Sequence, residues 1–369
     1  MTAPDRIHPA GGVPTEVPTE VPTEVPTEVP TEVPTGAPPD IGEAARIGRE
    51  VLHRTGTVIV GAEGALRLAL AAVLAGGHVL FEDLPGLGKT LAAKTLAQSL
   101  GLDFRRLQFT PDLLPSDVTG SSIFNPATRE FDFKPGPIFA GLFLADEINR
   151  TSPKTQSALL EAMAEAQVSA EGTTLPLTRP FHVFATSNPI EFEGTYPLPE
   201  AQLDRFMVRL RFGYPGPGGE QDIIARRLSR RQDETTVARV TTAEGLLRLQ
   251  AVVESVGVDD DVIDYAVRLT AATRSHPAVE VGASPRGSQA LVLLGRALAV
   301  LDARSFVLPE DVKEGAVAVL AHRITLTPSS WAQGVATEKV VRDVLGEVPT
   351  PPTVHRSEHR TEHRTEHHG

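Results

Sequence analysis

Residues 78–101 read HVLFEDLPGLGKTLAAKTLAQSLG. An apolar strand pattern runs into a glycine loop, and an apolar-periodic helix follows and stops at Gly101. Strand, glycine loop, Lys-Thr and helix in that order form the context of a phosphate-binding loop. The residue types are the ones the chemistry needs. Gly86 and Gly88 let backbone amides curl round phosphate oxygens. The helix N-terminus faces the same anion. Lys89 reaches the β- and γ-phosphates, and the Thr90 hydroxyl ligates Mg²⁺. The expected nucleotide contacts are Pro85, Gly86, Leu87, Gly88, Lys89, Thr90 and Leu91. One position departs from the GxxxxGK[ST] pattern: Asp83 stands where the first glycine is usual. A carboxylate there repels phosphate unless it points away, so its side chain is expected to point outward.

Leu142-Phe143-Leu144-Ala145-Asp146-Glu147 is an apolar strand ending in two acids. An acid at the carboxyl end of a central parallel strand lies beside the phosphate loop. Asp146 is thus expected to hold Mg²⁺ as a Walker-B acid, and Glu147 to polarise a water for in-line attack. The plainer reading, two solvated acids capping the next helix, is weakened by Ser152-Pro153, which supply an N-cap and first turn by themselves.

Further strand patterns occur at 104–109 (FRRLQF) and 181–188 (FHVFATSN). Their alternation with helical stretches predicts a parallel sheet flanked by helices. Gly213–Gly219 (GYPGPGG) is a Pro/Gly break, and the patterns after it are helical at 219–232, 242–256, 260–274, 285–302 and 309–320. The expected organisation is an α/β core over 41–212 and a smaller all-α domain over 213–348.

The ends differ from this middle. Residues 13–32 are five tandem copies of VPTE, and 355–366 are HRSE followed by two copies of HRTE. Proline every fourth residue forbids helix, and both tails (1–40 and 349–369) are expected to be disordered spacers. Histidine at every fourth position gives the C-terminal repeat a weak metal affinity by composition. Two Asp and five Glu against one Arg in residues 1–40 account for half of the net charge of −12. That balance disfavours nucleic acid as partner. The chain has no cysteine, which excludes disulfides, thiolate metal sites and cysteine nucleophiles. No leader pattern opens it, and its longest nearly apolar stretch (68–81) is too short to cross a bilayer. The expectation is a cytoplasmic protein without a membrane span.

At this point the sequence resembles the MoxR family of AAA+ ATPases. DEINRTSPKTQSALLEAMAEAQVS (146–169) is similar to that family's Walker-B signature and following helix. ATSNPIEFEGTYPLPEAQLDRF (185–206) is similar to its sensor-1 strand and arginine-finger segment, QFTPDLLPSDVTG (108–120) to its second helix, and ASPRGSQAL (283–291) to its sensor-2 helix. The resemblance covers roughly 41–348. It implies a P-loop AAA+ αβα sandwich with a helical lid. It further implies that Asn188 orients the attacking water, that Arg205 is an arginine finger for a neighbouring subunit, and that Arg286 comes from the lid onto the γ-phosphate. Val60 and Gly61 match the linker near the adenine. Taken singly, Asn188 reads as a turn residue, Arg205 as the partner of Asp204 in a surface ion pair, and Arg286 as a solvated first-turn residue. Ser187, Ala62 and Phe192 depart from residues common in the family, which bears on sensor tuning and adenine contacts.

The resemblance also implies an inserted hairpin at 121–139 and a second one over 168–177 turning at Gly172. Phe131 and Phe133 either contact a partner or pack beneath their own hairpin. The implied activity is Mg-dependent ATP hydrolysis in a homo-hexameric ring that remodels or matures a client protein, together with a von Willebrand A domain protein. The metal site of such a domain needs a DxSxS-type string. The nearest one here, Asp117–Ser121, falls in an expected helix, so that partner is a separate chain. Rival readings are a magnesium-chelatase-like motor subunit and a nucleotide-gated binding module with little turnover. A GTPase is disfavoured by the lack of an NKxD string.

Overall fold

The computed structural model describes residues 40–170, 172–189, 195–232 and 235–352. The VPTE and HRTE repeats and Phe192 lie outside the described residues. Helices α1 (Ile41–Gly56) and α2 (Glu63–Leu74) precede the first strand. Asp40, placed with the tail from the sequence, caps α1 by accepting the Glu43 amide at 2.7 Å, which satisfies one of the orphan donors of the first turn. There follow β1 (Val79–Glu82), α3 (Lys89–Leu100), β2 (Phe104–Gln108), α4 (Pro115–Thr119), β3 (Gly120–Asn125), β4 (Glu130–Pro135), β5 (Leu142–Asp146), α5 (Pro153–Glu165), β6 (Gln167–Ala170), β7 (Thr173–Pro176), β8 (His182–Ser187), α6 (Glu200–Leu203) and β9 (Val208–Leu210).

Strands β2, β5, β8, β1 and β9 form one parallel sheet in that order. Every residue of β5 is buried, as a parallel strand covered on both faces requires. The carboxyl ends of β1, β5 and β8 lie side by side, which gathers the phosphate loop, Asp146 and Ser187 at one edge. The expected second helix is short, with only Pro115–Thr119 helical. The string Asp117–Ser121 straddles its end and the start of β3, rather than lying inside a helix. Asp117 caps α4, with Oδ2 accepting the Leu114 amide at 2.8 Å.

β3 pairs with β4 and β6 with β7, both antiparallel, at the positions expected for the two inserts. The two phenylalanines of the first insert divide between the alternatives. Phe131 is 71% exposed and its ring meets Phe124 edge-on. Phe133 turns under the hairpin against Phe139.

After the break come α7 (Gly219–Arg230), α8 (Ala243–Glu254), α9 (Asp260–Ser275), β10 (Val279–Val281), α10 (Pro285–Leu301), α11 (Pro309–Leu320), β11 (Thr325–Leu326), α12 (Pro328–Ala332) and α13 (Thr337–Glu347). The lid is helical apart from the small antiparallel β10–β11 pair. α10 packs against α1 and α2 as well as α9 and α11. One apolar cluster therefore runs from Ala44 and Leu70 through Leu298 to Val344, across the break at Gly213.

Two histidines, His182 buried and His78 partly buried, close the amino end of the sheet. His78 Nδ1 accepts the Val183 amide at 3.0 Å, and Nε2 donates to the Met163 carbonyl at 3.1 Å. His182 Nδ1 donates to the Gly77 carbonyl at 2.9 Å, and Nε2 accepts from Gln250 at 3.2 Å. Each ring is neutral, and a second proton on either would face a donor. Burial pushes both pKa values down from 6.5 to about 4, His182 adding to the shift of His78. The unfolded state therefore binds more protons than the folded state between those values. Stability is intact above about pH 6.5 and falls as pH drops toward 4, by about 2 kcal/mol per ring at about pH 5. A thermal midpoint clearly lower at about pH 5 than at about pH 7.5 is expected. Equal midpoints would mean these rings do not report on folding.

Candidate active site

The loop after β1 is shaped by Gly86 and Gly88, with φ of 81° and 84°. Backbone at positive φ turns successive amides toward one side, as an anion cradle needs. Lys89 is 9% exposed. Its ammonium donates to the carbonyls of Asp83 at 2.5 Å and Ser187 at 3.4 Å. It makes no ion pair with an acid among the described residues. Burial lowers its pKa, against the pull of Asp83, Asp146 and Glu147. A buried cation held by carbonyls alone is suited to an incoming phosphate.

Asp83 resolves its own conflict with that anion. Its side chain points away from the loop, as expected, but into the protein rather than to solvent. Oδ1 accepts the Leu84 amide at 2.8 Å, and Oδ2 accepts the amides of Phe212 and Gly213 at 2.7 and 2.8 Å.

Thr90 and Asp146 converge. Thr90 Oγ1 donates to Asp146 Oδ2 at 3.1 Å, and Thr186 Oγ1 donates to Asp146 Oδ1 at 2.5 Å. A hydroxyl and a carboxylate are the hard oxygen donors that Mg²⁺ takes, so the residues present fit that ion. Glu147 adopts the left-handed conformation, φ 57° and ψ 49°, a strained backbone for a residue with a β-carbon. Its amide donates to Thr186 Oγ1 at 2.8 Å. Its carboxylate is held by Gln108 Nε2 at 2.6 Å and by Arg150 Nε at 3.1 Å. Asn188 follows β8 on the same edge and is buried, its carbonyl accepting from Asn149 at 3.2 Å. Val60 and Gly61 lie against Pro215 and Gly219 at the start of the lid.

The two arginines are elsewhere. Arg205 does not pair with Asp204. It crosses α5 and donates to the Leu160 carbonyl at 2.6 Å. Asp204 is taken by the buried Arg323 of the lid at 2.7 Å, with Ser284 Oγ at 3.2 Å and Arg286 at 3.8 Å. Arg205 and Arg286 share a concavity of about 310 Å³ with Gly76, Gly77 and His78. Those three residues precede β1, whereas the phosphate loop follows it. Four residues of strand, about 13 Å, therefore stand between the arginines and their own chain's loop. The fold does not bring Arg286 to Lys89.

Residues 78–208 match the ATPase family associated with various cellular activities (AAA), and residues 271–344 match an AAA lid domain. The chain is 50% identical over 305 residues to the uncharacterised protein YeaC of Bacillus subtilis, covering 83% of this chain and 95% of that one. It is 41% identical to Chaperone MoxR1 of Mycobacterium tuberculosis, covering 85% and 86% of the two chains.

The chain belongs to the MoxR family of AAA+ ATPases.

A crystal structure from Cytophaga hutchinsonii, described there as a candidate ATPase, superposes on this MoxR-family chain with a TM-score of 0.78 at 39% identity, covering 85% of this chain and 97% of that one. The MoxR-family chain is thus an ATP-hydrolysing enzyme of chaperone-like type. No helix among its described residues is long and apolar enough to cross a membrane.

Some of the residues that frame this MoxR site were not singled out by motif. Arg106 Nε donates to Asp146 Oδ2 at 2.8 Å, and Arg106 also donates to Gln108 at 2.8 Å. Their signal was the two-residue period of β2, which puts Phe104, Arg106 and Gln108 on one face. Gln108 lies opposite Asp146 in the register with β5.

Proposed function

We infer that this chain hydrolyses MgATP at the contacts between copies in a ring, and that the cycle remodels or matures a partner protein. The observation that supports this best is the split of the functional residues between opposite ends of the sheet. At one end lie Lys89, Thr90, Asp146 and Glu147, whose acids already engage Arg106 and Arg150; at the other lie Arg205 and Arg286, which a second copy can present to the phosphates.

In this reading the amides of residues 85–91 and the Lys89 ammonium grip the phosphates, and Val60 and Gly61 border the adenine. Thr90 and Asp146 hold Mg²⁺, which when bound neutralises charge on the phosphoryl group being transferred. Glu147 exchanges Gln108 for a water and takes its proton on the carboxylate. Asn188 orients that water. The adjacent copy's Arg205, released from Leu160, neutralises charge developing on the γ-phosphate, and Arg286 acts beside it.

Six copies make the ring, as the family resemblance implies. A separate protein with a von Willebrand A domain is the proposed partner. Asp117, which begins the nearest DxSxS-like string, is engaged in a helix cap, so the adhesion-type metal site is proposed on another chain. The test is mass in solution by light scattering on the Glu147→Gln protein. An ATP-dependent step to about six protomers is expected. A monomer with and without ATP would remove the shared site and leave a nucleotide-gated switch.

A further inference from the structure

α7 is folded inside out. An amphipathic helix on a single chain turns its apolar stripe to the core. Here none of the twelve residues of α7 is buried. Its polar side holds it to the protein: Arg226 Nη1 donates to the carbonyls of Gly56 and Thr57 at 2.9 and 2.6 Å and Arg226 pairs with Asp222 at 2.6 Å. Ile223, Ile224 and Leu228 face outward, 43, 59 and 69% exposed. A contiguous apolar face left to water marks an interaction site.

The complementary surface is on the same chain but elsewhere. The concavity beside Arg205 has an apolar floor of Met163, Met207, Ala290 and Leu293. Its rim carries Arg205 and Arg286, while Asp204 in its wall is taken by the buried Arg323. Glu220 stands one turn before Ile224 on the exposed face of α7, while Asp222 is turned inward to Arg226 and the last turn carries Arg227 and Arg230. An exposed apolar face bordered by one carboxylate, Glu220, thus matches a concavity lined by apolar side chains and edged by arginine.

We propose that α7 docks into this concavity on the next copy of the chain, so that each copy gives its helix to one neighbour and its pocket to the other. The proposal rests on the reading that Arg205 and Arg286 serve a neighbour's site. α7 follows directly from residues 215–219, which lie against Val60 and Gly61. A copy that brings its arginines to that site brings their concavity to α7. Such head-to-tail contacts propagate, and they close into a ring when the rotation allows.

The absence of cysteine from the whole chain makes the test clean. Leu228→Cys and Gln289→Cys are made separately in the Glu147→Gln protein, both at exposed positions, Gln289 on the pocket rim. They are mixed with ATP and treated with a short bismaleimide. A cross-linked dimer from the mixture, and from neither variant alone, is expected. Ile263→Cys on α9 in place of Leu228→Cys should give none. In the otherwise unaltered chain, Leu228→Glu should raise the protein concentration needed for ATP-dependent assembly by at least about tenfold, and Leu228→Met should not. A dimer from Leu228→Cys alone would set α7 against α7 and overturn the proposal. So would no dimer from the mixture under conditions where Arg205→Ala and Lys89→Ala chains restore each other's turnover; the shared site would then stand without this contact. Failure of both the cross-link and the restoration would remove the shared site as well.

Discussion

Glu147→Gln is expected to bind ATP as the unaltered chain does and to lose turnover by about 10²–10⁴-fold, the range for removing a positioned general base. The change is nearly isosteric. The new side chain still offers an oxygen to Gln108, and the left-handed backbone at this position suits Glu and Gln equally. What disappears is the ability to accept a proton. The measurement is steady-state phosphate release beside equilibrium binding of a fluorescent ATP analogue. A variant that turns over at the original rate would take Glu147 out of the chemistry. Loss of binding would show instead that the carboxylate, through Gln108 and Arg150, shapes the nucleotide site.

Arg205→Ala is expected to lower turnover by about 10³–10⁵-fold, the effect of an arginine that neutralises charge on a transferring phosphoryl group. Lys89→Ala should be equally inactive for a different reason, the loss of grip on the phosphates. Mixed, the two should regain activity that neither has alone. A Lys89→Ala chain can lend Arg205 to a neighbour whose own phosphate loop is intact. Mixing at several ratios makes the test quantitative, since recovery should peak at an intermediate ratio. Absence of recovery in mixtures that demonstrably co-assemble would place Arg205 outside the neighbour's site. Its hydrogen bond to Leu160 would then be a structural role.

Most of the sheet was legible because strands buried on both faces read as short apolar runs, and 78–83, 141–147 and 181–188 became strands; the half-buried β2 in 104–109 lies at the end of the sheet and mixes polar with apolar residues. The fifth strand, Val208–Leu210, was not legible. Arg209 and Arg211 interrupt its pattern, and they are accommodated through ion pairs with Glu82 and Glu338, residues far away in sequence. Both hairpin inserts were placed by the family resemblance, and each forms by pairing of strands close in sequence. The position of Arg286 could not. It depends on how the lid docks, and that is decided by Arg323 and Ser284 reaching Asp204. Periodicity marks α7 as a helix, yet it says nothing about which face meets the chain that bears it. Arg106 and Gln108 were visible as alternate residues of a strand, but their acidic partners are visible only once β2 lies beside β5.

Asp83 joins three parts of the molecule at one residue. Its carbonyl holds the Lys89 ammonium, its amide reaches Ser187 at the end of β8, and its carboxylate holds the first amides of the lid linker. Thermodynamic reciprocity applies to such a junction. If phosphate, by drawing Lys89 off this carbonyl, shifts the hinge, then whatever bends the hinge must alter the grip on phosphate by the same factor. A coupling of about 1–3 kcal/mol corresponds to a change of about 5–150-fold in affinity. In the proposed cycle, a client that bends this linker by binding the lid would change the affinity for nucleotide without touching it.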